Sequence, residues 1–116
     1  MALNFKDSAG YEALLRLVAK SDVLVQNFLP GVLERYGLGY EDLRKVNPRL
    51  IYATLTGYGP SGPDAQRPGY DVIVSARGGL MGITGNEGGP PCKVGVAVTD
   101  LATGLSTFGA IMSALY

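Results

Sequence analysis

Asp71 and Asp100 each stand where a helical run begins, and they are the side chains on which chemistry could be built. A carboxylate in that position has two uses. As an N-cap it accepts a backbone N–H and satisfies one of the helix's orphan donors. Held out of water and aimed, it becomes a nucleophile able to attack an acyl carbon. Spacing alone makes both residues caps. Other chemistries are closed off by what is missing. The sequence contains no histidine, which excludes serine–histidine and cysteine–histidine hydrolases, histidine metal sites and imidazole acid–base catalysis. Cys92 is the only cysteine, so no intrachain disulfide can form and no oxidising compartment is implied. Its neighbours Pro91 and Lys93 activate a thiol only slightly, so it reads as a passive small residue.

Two further patterns invite a ligand. Gly57, Gly59 and Gly62 match the dinucleotide fingerprint G-x-G-x-x-G behind a strand-like run. That motif works only when a helix opens at once and turns its amides to the pyrophosphate. Pro63 and Pro68 interrupt the next turns and no apolar helical stripe begins there, so the segment reads as a glycine-rich turn. Asn27 and Phe28 close an apolar strand, the end at which α/β proteins place ligand groups. Phe28 suits either an adenine face or the core. Arg35 suits either a phosphate or an ion pair with Glu34 or Glu41.

The elements that must position these residues follow from periodicity. Residues 8–20 form an amphipathic helix, with Tyr11, Leu14, Leu15 and Val18 on one face and Asp7 or Ser8 at its start. Asp22–Phe28 holds a short strand, and Pro30-Gly31 opens a brief helix through Tyr36. A second brief helix covers 40–46. Asn47-Pro48 marks a turn, and 50–56 is the clearest strand. Helix, strand, helix, helix, strand implies an α/β fold with a parallel sheet. A helix is expected from about Tyr70 to Met81 within a glycine- and proline-rich stretch, and 84–91 is an ordered loop. Leu101, Leu105, Phe108, Met112 and Leu115 place a last helix over 101–116. Its remaining faces are small and uncharged, the pattern of a helix buried on all sides. It reaches Tyr116 with no glycine or asparagine stop signal, so the chain reads as cut.

Composition sets the outer bounds. Ten basic residues balance ten acidic ones, which gives no electrostatic footprint for nucleic acid or an anionic membrane. There is no unbroken apolar run of the ~20 residues that span a bilayer. The first residues resemble neither a signal nor a transit peptide. A cytoplasmic or mitochondrial-matrix location is the expectation. One domain is the most this length accommodates.

Read together, several stretches resemble the family III CoA-transferases, the formyl-CoA transferase and carnitine CoA-transferase-like enzymes. They are NFLPG (27–31), LGYEDL (38–43), NPRLIY (47–52), GYGPSGP (57–63), RPGYD (67–71), GLM (79–81), ITG (83–85) and VGVAVTDLATG (94–104). TDLATG (99–104) with GAIM (109–112) looks nearest the succinate–hydroxymethylglutarate CoA-transferase branch. The resemblance implies that 1–116 is a single partial domain, truncated at both ends, of a Rossmann-like large domain whose full-length protein forms an interlocked homodimer. It implies Asp100 as the nucleophile, with coenzyme A contacts at Asn27, Phe28, Leu29, Arg35, Gly69, Tyr70 and Asp71. Coenzyme A would be a substrate, exchanged between an acyl-CoA and a carboxylic acid, with no permanent cofactor and no metal. The carboxylate must be desolvated, a need that Val94, Val96 and Val98 fit, and amides at the helix start would serve as oxyanion donors. Related acyl-CoA racemases place a histidine where this chain has Tyr70, which disfavours racemisation. The rival readings are an inactive fragment or interaction module of such an enzyme and a nucleotide-binding domain.

Overall fold

Val23–Gln26 and Ile51–Thr54 are short runs rich in residues that suit a pleated, half-buried strand, and they pair as β1 and β2. The computed structural model, which describes residues 2–116, pairs them in parallel, with Val23 opposite Ile51 and Gln26 opposite Thr54. The ladder runs on at both ends, where Ile51 N–H donates to Asp22 O and Leu55 N–H to Gln26 O, each at 2.9 Å. A parallel pair needs a crossover. Here it consists of a 3-10 turn over Glu34–Tyr36 and the helix α2, Tyr40–Val46. The brief helix expected from Pro30 is therefore reduced to that turn. Gly37 ends it at φ 67°, a conformation that carries little penalty only for glycine.

Helix α1 spans Ser8–Val18. The Asp7 carboxylate caps it by accepting the Gly10 N–H at 2.7 Å. The Tyr11, Leu14, Leu15 and Val18 face covers one side of the crossover. Val18, Leu33, Leu38, Leu43 and Leu50 form the buried core, with Tyr11, Leu14, Leu15, Leu24 and Tyr52 packed against it. Asn47 locks this layer. Its Nδ2 donates to Val18 O at 3.0 Å and to Ser21 O at 2.8 Å, and its Oδ1 accepts the Arg49 N–H at 3.1 Å.

The second half is built differently. Helix α3 covers Asp71–Arg77, shorter than the expected 70–81 because the chain turns at Gly78 and Gly79, the latter at φ 83°. A 3-10 turn follows over Leu80–Ile83. Residues 84–97 contain neither helix nor strand. Cys92 packs there against Gly85, where an added Cβ would lie 2.9 Å from the Cys92 sulfur.

Helix α4 spans Val98–Leu115, beginning before Leu101. It is not buried on all sides, contrary to its composition. Leu101, Leu105 and Phe108 are 59%, 74% and 62% exposed, and no residue of the helix is buried. By length and composition alone α4 is also apolar enough to cross a membrane, although serines, threonines and glycines break up any continuous apolar run. Its first turn carries Asp100 and a bond from Thr99 to a carboxylate, groups that hydrocarbon would leave unsolvated.

Candidate functional site

A cleft of about 530 Å³ opens at the carboxyl ends of both strands. That is the crevice in which parallel α/β sheets hold ligands. Asn27, Phe28 and Leu29 leave β1 into one side of it, and Leu55, Thr56 and Gly57 leave β2 beside them. Pro68, Gly69, Tyr70 and Val74 form the opposite wall, and Thr99, Asp100 and Thr103 reach in from α4. Six of the eight residues expected at the site therefore meet at one place: Asn27, Phe28, Leu29, Gly69, Tyr70 and Asp100.

The strand ends are fixed by local bonds. Gln26 Nε2 donates to Thr54 Oγ1 across the pair at 3.0 Å, and its Oε1 accepts the Phe28 N–H at 2.8 Å. Phe28 is no core residue. It is 43% exposed, and its ring meets Phe5 edge-on with centroids 6.3 Å apart. Tyr70 is 65% exposed.

The glycines of the supposed fingerprint serve a different purpose. A Cβ on Gly57 would lie 2.4 Å from the Gly69 Cα, so two backbones touch where the strand end meets the opposite wall. Gly59 and Gly62 adopt φ of 86° and 100°, and Thr56 Oγ1 accepts the Gly59 N–H at 2.8 Å. No helix opens between Gly57 and Asp71. The excursion between the walls is pinned instead. Asp64 pairs with both Arg67 and Arg77, and Gln66 Nε2 donates to Pro30 O at 3.1 Å.

Asp100 is not a cap. It is the third residue of α4, whose cap position is Ala97 and carries no side-chain bond. It is also exposed in this chain. Val94, Val96 and Val98 form no dry strand beneath it, Val96 being 55% exposed.

Two expected residues lie outside the cleft lining. Arg35 sits on the 3-10 turn and pairs with neither Glu34 nor Glu41, since Glu41 pairs with Arg44 at 3.3 Å. The Asp71 carboxylate is bonded to Thr99, its Oδ1 accepting the backbone N–H at 2.8 Å and the hydroxyl at 2.6 Å. Those bonds, the Thr99 hydroxyl's first, hold its carboxyl below the usual aspartate range, with Lys93 adding a smaller pull. Leu55, Thr56, Pro68, Val74, Thr99 and Thr103 also line the cleft, and sequence reasoning named none of them as site residues. Among the described residues, no group of three or more acidic or cysteine side chains is placed to hold a metal.

The arrangement is thus an aspartate on a helix's first turn, facing an aromatic- and glycine-lined cleft at the strand ends. The model of CoA-transferase family III matches residues 1–116, the whole chain. The chain belongs to CoA-transferase family III. Within it, the chain is 52% identical over 115 residues to the human succinyl-CoA:glutarate CoA-transferase, covering 99% of this chain and 26% of that protein. It is 49% identical to the acetyl-CoA:oxalate CoA-transferase of Acetobacter aceti, covering 100% of this chain and 30% of that one. A solved structure of a CAIB/BAIF family protein from Brucella suis superposes with a TM-score of 0.94 at 47% identity, over 97% of this chain and 30% of that one. The chain spans about a quarter to a third of these family III relatives.

Proposed function

We propose that this chain supplies the nucleophile and one wall of the coenzyme A site of an enzyme that moves coenzyme A between an acyl-CoA and a carboxylic acid. One observation carries the reading: Asp100 projects into the cleft that also gathers Asn27, Phe28, Leu29, Gly69 and Tyr70. Family membership supports transfer over nucleotide binding, and the contact between Gly57 and Gly69 accounts for the first fingerprint glycine without a dinucleotide. The cleft's volume lies within the ~300–1,000 Å³ typical of small-molecule sites. The relatives' names put a short dicarboxylic acid, glutarate or oxalate, in each reaction, and substrates of that class are our choice here.

Transfer between two acids has almost no net driving force, so the thioester's energy must be kept in covalent intermediates. The Asp100 carboxylate attacks the acyl-CoA carbonyl, and the C–S bond breaks to give a mixed anhydride and coenzyme A thiolate. The thiolate attacks the aspartyl carbon, which releases the first acid as its carboxylate and leaves an aspartyl-CoA thioester. The acceptor carboxylate attacks that thioester, giving a second anhydride and the thiolate again. Attack of the thiolate on the acceptor's acyl carbon forms the new acyl-CoA and regenerates Asp100. No redox change and no net proton is needed. An aspartate that water solvates is a poor nucleophile, so in this reading the exposed Asp100 is dried by the bound substrate and by the rest of a longer, dimeric protein.

Incubation with succinyl-CoA and hydroxylamine tests this. An aspartyl hydroxamate located by mass spectrometry at Asp100 is the expected result. Asp100→Asn should remove the adduct and lower coenzyme A exchange on the order of 10⁴-fold or more, as losing a covalent nucleophile does. An adduct on another residue, or exchange that survives the substitution, sinks the assignment.

A further inference from the structure

Helix α4 starts without a cap of its own, because Ala97 offers no side-chain acceptor. The first amides of any helix lack intrahelical partners. Here a residue from another element meets them. Asp71 Oδ1 accepts the Thr99 N–H at 2.8 Å and the Thr99 hydroxyl at 2.6 Å. The Thr99 hydroxyl also lies 3.4 Å from the Asp71 carbonyl oxygen. A negative charge at this end is favoured by the helix dipole. Asp71 begins α3 immediately after Gly69 and Tyr70, so the bond joins one wall of the cleft to the turn that carries Asp100. No residue of α4 is fully buried, and the helix meets the rest of the chain only at α3 and β2 among the main contacts between elements.

We infer that Asp71 is a positioning residue rather than a coenzyme A contact: by capping α4 from outside, it sets Asp100 at a fixed distance from the Gly69–Tyr70 wall. The inference rests on Asp100 as nucleophile, and it has a second consequence. The Thr99 amide is occupied by Asp71, while the Val98 and Leu101 amides are bonded to the carbonyls of Val96 and Ala97. Those three amides therefore hold the helix start in place and do not serve as oxyanion donors.

Amide hydrogen exchange by NMR, coenzyme A titration and hydroxamate trapping on the 116-residue chain and its variants decide the matter. Asp71→Ala should lower protection at the Thr99 amide by about tenfold or more, the size expected for losing a hydrogen bond to a charged group. Asp71→Asn, which keeps an acceptor oxygen, should restore part of it, and Thr99→Val should fall between. Coenzyme A affinity should stay within about twofold while the rate of hydroxamate formation falls, because a positioning bond acts on the reacting geometry and not on binding. Unchanged protection in Asp71→Ala and Thr99→Val overturns the inference. So does coenzyme A affinity that drops tenfold with protection intact, the signature of a direct contact. If Asp71→Ala does not fold, Thr99→Val and Asp71→Asn carry the same comparison. If the unsubstituted chain forms no hydroxamate, the same variants are tested in the longer protein, where absence of hydroxamate defeats the nucleophile reading; the exchange data decide the clamp in either case.

Discussion

At the scale of single residues, the two aspartates show how far spacing reaches and where it stops. Each precedes a helical run, and each therefore read as a cap of its own helix. Neither is one. Asp71 caps a helix that begins at Val98, a partnership between residues 28 apart in sequence that no local pattern carries. Asp100 lies inside the first turn because the helix starts earlier than its first leucine. The Asp71 carboxyl also makes a prediction about acid. Its pKa is lowered in the folded chain, chiefly by the Thr99 hydroxyl. A depressed carboxylate contributes stability above the unfolded value of ~3.9 and loses it as pH falls through the folded value. Protection of the Thr99 amide should accordingly persist at pH 4 and decline only below it. Lys93 is the charged neighbour that adds to this lowering. In Asp71→Asn the decline should vanish, and a decline that remained would assign it to another carboxyl.

At the scale of elements, periodicity found the strands and helices that carry the cleft, because each buries one face. Tyr11, Leu14, Leu15 and Val18 repeat at helical spacing and do cover the core. The β-branched run at 50–56 does pair, over Ile51–Thr54. What periodicity could not see is contact between backbones. Gly57 was read as a turn glycine and Gly69 as a coenzyme A contact, yet their missing Cβ atoms let the end of β2 touch the opposite wall. Gly57→Ala forces a Cβ to within 2.4 Å of a Cα, and backbone cannot rotate aside as a side chain can. Overpacking of this kind costs ~1–3 kcal/mol. Urea unfolding of Gly57→Ala should show that loss, with weaker coenzyme A binding because the two walls separate. Asn47 is a second case. Its side-chain amide joins α1 to the turn before β2, so Asn47→Ala should cost ~1–3 kcal/mol by removing the donor to the Ser21 carbonyl and one of two donors to that of Val18.

At the scale of the whole molecule, the chain divides into a half that has its own core and a half that does not. Val18, Leu33, Leu38, Leu43 and Leu50 lie among α1, the crossover and the strands. Composition made α4 look equally interior, since five large apolar residues form its stripe and no charge follows Asp100. Hydropathy reports only that a surface needs covering. It does not report whether the cover lies in the same 116 residues, and here the stripe stands exposed. Stability should follow burial and not hydropathy. Leu43, 1% exposed, surrenders both transfer energy and packing when truncated, so Leu43→Ala should cost ~2–5 kcal/mol. Leu105 is 74% exposed, and Leu105→Ser removes a side chain that is already in water, so its cost should lie within ~0.5 kcal/mol. Matched urea titrations of the two variants measure both. A loss at Leu105 as large as that at Leu43 would mean that α4 packs on the core in solution, in an arrangement other than the one described.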